Sequence, residues 1–505
     1  MTQLEAPCPI SESSLWQRQR DYYARLNVGA WGSGPVPLYI TSNPLIARAY
    51  ARMILGYLRD LAASGDVDRK APVYVVELGA GCGRFSFYLR RALDQMLSRS
   101  VFQDIRLVLI MTDFAEGNLD HWQRRSEFVP WLKTGALDVA LFDLESSETL
   151  SPRAGNVTLA AGQQTNPMIF IANYVFDAVP QDVFCSSNSV LQEFLISESE
   201  SQAGKFLFDR RPVHTQRYND PRLNDLLASF RDTDAKSVSM PVAAIQGIKH
   251  LRALAGGRML LLSADKGYGP ATMQRNAALP VIAQHGSASM MVNYGAIGRW
   301  VQNQNGEAWH PATPPTGLYV AAFAFGLSTS DEFSCAYGDA INHGGPDDVC
   351  ALKLMAAAST NDIPWDQALG AIRLAGFDSE LLPPLLPSLK SQIATATPAQ
   401  IADLAAVAKQ IDEGYFPIGE AYDLAFDLGG LLLQAELFSA AAGQFKQSLD
   451  RYGPDASGFV NLALCHYRLG NHAEASQALS QGLQCDPANQ MGSLLRRHLQ
   501  QAMAA

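Results

Sequence analysis

No two of the seven cysteines in this 505-residue sequence (Cys8, Cys82, Cys185, Cys335, Cys350, Cys465, Cys485) stand at CxxC spacing. Their odd number and wide scatter argue against a disulfide framework or a cysteine-built zinc site and fit a reducing compartment. Long apolar runs are also missing. Stretches such as 259–262 and 320–325 are far too short to cross a bilayer. The opening MTQLEAPCPISESS lacks the basic and apolar regions of a secretory leader. Positive charge is in deficit, with 39 Lys and Arg against 49 Asp and Glu and a net charge of −10. That balance disfavours broad binding to nucleic acid or anionic membranes. His285, His310 and His343 read as isolated, without an i,i+4 or acidic partner at metal spacing, so no metal site is expected. These absences predict a soluble, cytoplasmic protein with neither nucleic-acid nor membrane partners.

What is present is an ordinary globular composition, 48% hydrophobic and 17% charged, over a length that implies two or three domains. Helical spacing runs over 12–28 and 43–62. From residue 72, short apolar runs at 73–78, 105–111, 136–142, 168–173 and 258–263 alternate with helical patterns, as in an α/β domain with a mostly parallel sheet. Runs at 190–196 and 205–209 flank a polar stretch and predict a hairpin inserted between the fourth and fifth strands. Two late antiparallel strands are expected at 288–294 and 318–325. Beyond 345 the spacing turns helical, with Pro383-Pro384-Leu385-Leu386-Pro387 as an internal break. Near the end, a 34-residue shift places Leu428 on Leu462, Ala441 on Ala475, Phe445 on Leu479 and Leu449 on Leu483. That period, with small residues at fixed positions and a closing Asp486-Pro487, is the tetratricopeptide pattern.

The stretch VVELGAGCGRFS (75–86) carries most of the chemistry. An apolar run meets Glu77, and Gly79, Gly81 and Gly83 follow at alternate positions. A dinucleotide fingerprint would need a third glycine where Arg84 stands, and a phosphate-binding loop would end in Gly-Lys-Ser/Thr. A carboxylate at the strand end would repel a pyrophosphate and suit the ammonium and sulfonium of S-adenosylmethionine. Asp113 follows the next strand, where a ribose diol finds its carboxylate. Asp143 ends the third and suits the adenine amino group. Tyr22, Tyr23 and Trp31 read as core aromatics, with a lid over the cofactor as the alternative, and Cys82 as a small filler.

Together with MIFIANYVFDAVPQDVF (168–184), the glycine turn resembles the MidA-type S-adenosylmethionine-dependent methyltransferases, which include the mitochondrial arginine methyltransferase of complex I assembly. The echoes extend over roughly 20–300, through YYARLNVGAWGSGPVPLYITSNPLIARAYARMI and GGRMLLLSADKGYG. The resemblance implies a Rossmann-type class I methyltransferase domain, followed here by the all-α tetratricopeptide extension. The expected parts are a helical segment at 1–70 covering the cofactor site, the catalytic domain at 71–345, helices at 346–415 and repeats at 416–505. Glu77, Gly79, Ala80, Gly81, Gly83, Asp113, Phe114, Asp143, Leu144 and Asn173 would hold S-adenosylmethionine. Asn173, Tyr174 and Asp177 would border the transferred methyl. Asp177 would orient or deprotonate the nucleophile, unless it only caps a helix before Ala178.

Two departures bear on the acceptor. Tyr174 replaces the family's usual acidic residue after the asparagine, and Asp265-Lys266-Gly267 replaces its D-Y-G. The expected function is methylation of a protein or peptide, at arginine or another side chain, recruited through the repeats. An inactive scaffold and a small-molecule methyltransferase are the alternatives, and a homodimer is left open.

Overall fold

The structure, a computed structural model, describes residues 6–32, 38–155, 157–198, 205–213, 216–270, 278–284, 287–358, 363–420 and 422–504. His285 and the polar link 199–204 of the expected hairpin lie outside them. The chain divides into two compact units, Met1–Asp348 and Val349–Ala505.

The first unit is built on a seven-stranded sheet: β1 (Val73–Leu78), β2 (Leu107–Asp113), β3 (Leu137–Leu141), β4 (Met168–Asn173), β5 (Met259–Asp265), β6 (Glu307–Trp309) and β7 (Tyr319–Phe325). Its order is β3-β2-β1-β4-β5-β7-β6, parallel through β5, with β7 antiparallel to β5 and β6 antiparallel to β7. The central strands are almost continuously apolar because helices bury both faces of such a sheet. Ile169, Phe170, Ile171 and Leu260 to Leu262 are all inaccessible to solvent. Strand order reverses between β1 and β4, and an open parallel sheet binds its ligand outside the carboxyl ends at that point.

Helix α1 (Leu15–Leu26) precedes the sheet, as does α2 (Pro44–Ser64). Asn43 caps α2, its side chain accepting from Leu45 N and Ile46 N at 3.1 and 3.0 Å, and Gly65 ends it with φ +77°. Helix α3 (Arg84–Leu97) starts directly after the glycine turn.

The insertion between β4 and β5 is larger than a hairpin. Val190–Glu198 and Phe206–Pro212 do pair antiparallel, but they join Asp182–Ser187, Val238–Met240 and Cys8–Pro9 in a separate five-stranded sheet. Of the expected late strands, 318–325 is β7. The other is only two fragments, Ala288–Ser289 and Val292–Asn293. Asn293 ends it by accepting from Ala296 N at 3.0 Å, which caps the helix Tyr294–Gln302.

The second unit is all helical. Pro383 and Pro384 open the helix Leu382–Gln392 instead of breaking the chain, since first-turn residues need no N–H partner. Pairs Leu424–Gln434 with Phe438–Tyr452 and Ala456–Arg468 with His472–Cys485 follow, then Gln490–Ala504. The residues matched by the 34-residue shift occupy similar settings: Ala441 and Ala475 are both inaccessible, and Phe445 and Leu479 are both buried.

Candidate active site

Each glycine of the turn after β1 adopts a left-handed backbone, φ +59° at Gly79, +54° at Gly81 and +81° at Gly83. Side chains avoid that region, so the alternating glycines are a backbone requirement. The turn is fastened by Ala80 N donating to Thr112 O (2.9 Å), Gly83 N to Ala80 O (2.8 Å) and Trp122 Nε1 to Gly81 O (3.0 Å). The three glycines differ in use. A Cβ on Gly81 would stand 2.9 Å from the Trp31 ring, inside the cleft, whereas one on Gly83 would meet Met111 and Phe128. Gly83 therefore lets α3 pack on the sheet and does not line the cleft.

That cleft lies at the reversal of strand order. It is lined by Glu77, Gly79, Ala80, Gly81, Asp113, Phe114, Asp143, Leu144, Asn173 and Tyr174 among the expected residues. Glu77 is 4% exposed and accepts from Ser86 Oγ; burial pushes its carboxyl up to about 8. Asp113 accepts from Ala115 N at 2.9 Å and Asn118 Nδ2 at 2.8 Å, and burial raises it too. Asp143 is gripped by Arg20. Burial pushes the Asp143 carboxyl up, but the Arg20 bond and the Glu145 N–H outweigh that and hold it below the usual carboxylate value. Tyr174 sits at φ +53°, a strained position for a side-chain-bearing residue, its N–H donating to Ala264 O at 2.9 Å.

Asp177 is not among the lining residues. It belongs to the short 3₁₀ turn Phe176–Ala178, with its carboxyl hydrogen-bonded to Asp265 and Ser289. Asp265 also accepts from Phe176 N (3.2 Å) and Tyr294 Oη (3.1 Å). Burial raises both acids, and their mutual repulsion adds to this for Asp265, so a proton is held within the pair. Asp177 caps no helix, since Val175 stands at that position, and its carboxyl faces Asp265 and Ser289.

The other wall comes from the N-terminal segment, within the 1–70 stretch expected to cover the site, although the sequence pattern does not single out Gln19, Arg20, Leu38, Thr41 and Ser42. Gln19, Arg20, Tyr23, Trp31, Leu38, Thr41 and Ser42 all line the cleft. Tyr23 and Trp31 stack at 5.6 Å, and the Tyr23 and Ser287 hydroxyls meet at 2.9 Å. Tyr23 and Trp31 are cleft wall and not core, as in the alternative of the two readings given above, a choice that local sequence spacing does not make. His343 also has the acidic neighbour denied it above, Asp339 at 3.5 Å. Even so, no group of three metal-ligating side chains gathers among the described residues. Nor is any helix among them long and apolar enough to cross a membrane.

The cleft fits S-adenosylmethionine on its own chemistry. Glu77 is a buried acid that a cation would return to its ionised form, and the turn itself puts no side chain into the cleft at Gly79 or Gly81, where the backbone is left-handed and Trp31 closes the opposite side. Such a site defines a methyl-transferring enzyme. Residues 57–297 match the family profile described as "Putative S-adenosyl-L-methionine-dependent methyltransferase". Similar solved structures include a "likely methyl transferase" from Burkholderia thailandensis bound to S-adenosyl-homocysteine, 16% identical with TM-score 0.43, over 65% of this chain and 90% of that one. A native structure of a superfamily protein from the same organism is 18% identical, with the same TM-score and coverage. Magnesium protoporphyrin IX methyltransferase from Synechocystis PCC 6803 is 12% identical with TM-score 0.27, over 62% of this chain and 95% of that one. No curated protein matches. The chain is an S-adenosylmethionine-dependent methyltransferase.

Proposed function

We propose that the enzyme methylates a small molecule without fixed positive charge, rather than a protein arginine. The carrying observation is where the acids of the cleft go. Four carboxyl groups line it among the described residues: Glu77, Asp113, Asp143 and Glu145. All stand at or just after the carboxyl ends of β1, β2 and β3. Ser86 holds Glu77, Ala115 and Asn118 hold Asp113, and Arg20 holds both Asp143 and Glu145. Beyond β4 the lining is Tyr174, Val175, Ala178 and Val179, and Asp177 is turned into its pair with Asp265. A guanidinium is permanently charged and needs a carboxylate partner when desolvated. This wall offers none.

Bound S-adenosylmethionine supplies an electrophilic methyl on a sulfonium. Glu77 would take its ammonium, Asp113 its ribose hydroxyls and Asp143 its adenine amino group, each of the last two by sharing a carboxylate oxygen. The Tyr23–Trp31 stack excludes water, and the β4 wall orients the acceptor, so positioning supplies most of the acceleration. Residues 416–505 support a tetratricopeptide reading through the equivalent burial of Ala441 and Ala475. A concave face of that kind would recruit a partner protein.

The test is incubation with methyl-labelled cofactor and host extract, split by size before mass analysis. Label in the low-mass fraction is the expected result. Label confined to methylarginine in protein overturns the reading.

A further inference from the structure

Tyr50 lies on α2, completely inaccessible, its ring edge against Phe85 at 5.3 Å. Its hydroxyl stands 2.8 Å from Asn173 Oδ1 and has no other hydrogen-bond partner among the described residues. Asn173 lines the cleft, and its Nδ2 is buried with no hydrogen-bond partner among the described residues.

The alternative amide orientation can be weighed directly. With the amide flipped, Nδ2 would donate to the Tyr50 oxygen and leave the hydroxyl proton without an acceptor in a fully buried position. Burial and the nearby Asp265 and Glu77 charges keep that proton in place. A buried donor without an acceptor is costly, so the hydroxyl donates and Oδ1 is consumed. The carbonyl of the amide is then spent, and its N–H groups are the part left without a partner among the described residues.

We propose that Tyr50 is a positioning residue that turns the N–H pair of Asn173 toward the methyl acceptor, so that the enzyme selects acceptors presenting an oxygen rather than an amine. This rests on the small-acceptor reading above and narrows it. An amine nucleophile needs a hydrogen-bond acceptor to orient its own N–H groups, and the Asn173 carbonyl is already used. An oxygen anion has lone pairs enough for both tasks. One accepts from Asn173, and another forms the new O–CH₃ bond as the S–CH₃ bond breaks with its electron pair passing to sulfur. A phenolate or enolate leaves as the neutral methyl ether, the sulfonium becomes a neutral thioether, and no proton moves.

The experiment uses the full chain saturated with S-adenosylhomocysteine and two probes of the same shape, 4-nitrophenolate and 4-nitroaniline, with binding read by absorbance. Wild type is expected to favour the phenolate by about tenfold or more, the scale of a hydrogen bond to a charged group. Tyr50→Phe should erase that preference while S-adenosylhomocysteine affinity and melting temperature hold. Asn173→Ala removes the donor outright and decides the matter if Tyr50→Phe fails to fold. Equal binding of both probes by wild type, or a preference kept in the variants, overturns the inference and leaves the small-acceptor reading standing. Binding of neither probe ends both. A large loss of S-adenosylhomocysteine affinity in either folded variant would mean that the donor serves the cofactor, which also overturns it.

Discussion

Arg20 and Asp143, separated by 123 residues, form a two-bonded ion pair at 2.6 and 3.3 Å on the rim of the cofactor cleft. The same guanidinium reaches Glu145 at 3.0 Å and lies 4.7 Å from the centre of the Phe114 ring. One side chain of α1 thus fastens the N-terminal segment to the loops after β2 and β3. Partly exposed pairs of this kind contribute under about 1 kcal/mol to stability.

Removing that fastening should therefore show in kinetics more than in folding. Arg20→Ala is expected to leave the melting temperature within a few degrees of wild type while S-adenosylhomocysteine dissociates about tenfold faster, a change of about 1.4 kcal/mol. Stopped-flow displacement measures it. An unchanged off-rate would remove α1 from the role of lid.

Gly81 allows a smaller test than a bulky substitution. Gly81→Ala adds one carbon 2.9 Å from the Trp31 ring at φ +54°. Strain at such a backbone position costs about 1–3 kcal/mol. The variant should melt lower and bind S-adenosylhomocysteine much more weakly, because Trp31 must leave its seat. Calorimetry beside a thermal melt checks both. Affinity equal to wild type would mean that the indole is not part of the cofactor wall.

Glu77 makes folding and binding depend on pH. Its folded value is raised by burial from 4.5 to about 8, so its contribution to stability is fully present below about 4.5 and is lost as pH rises through about 8. The ligand-free protein should lose stability across that window, and Glu77→Gln should flatten the loss. Cofactor binding near pH 7 should also release a proton, as the ammonium draws Glu77 into its ionised form. Calorimetry in buffers of different ionisation enthalpy would read that release, and its absence would place the ammonium elsewhere.

The buried pair of Asp177 and Asp265 predicts a structural effect where the family motif suggests a chemical one. Both folded values are raised, that of Asp177 to about 6, so the pair stabilises at low pH and repels as pH climbs. Asp177→Asn carries a donor permanently and should melt higher than wild type at alkaline pH. Turnover should fall only modestly. A large loss of turnover at unchanged cofactor affinity, with no change in the pH dependence of melting, would restore Asp177 to the chemistry.

The sheet strands were legible because a parallel strand covered on both faces must be apolar throughout, and β1 to β5 fall on such runs. The cofactor was legible for an equally local reason. Three alternating glycines are the covalent mark of three left-handed residues, and the carboxylate beside them selects a cation. The extra strand Asp182–Ser187, by contrast, lay inside a segment whose motif drew attention to its first half. The closing wall was legible only as a segment, 1–70, and not in the contacts its side chains make. Nothing in the neighbours of Trp31 says that it will rest on Gly81, nor in those of Arg20 that it will find Asp143, because such contacts exist only once the chain returns to the sheet. The same holds for the acceptor side. The sequence places Asn173 and Asp177 four residues apart as apparent equals. Tertiary structure puts Tyr50 on the carbonyl of the first and Asp265, 88 positions beyond the second, on the carboxyl of the second, since a buried polar group turns to whatever donor or shared proton satisfies it.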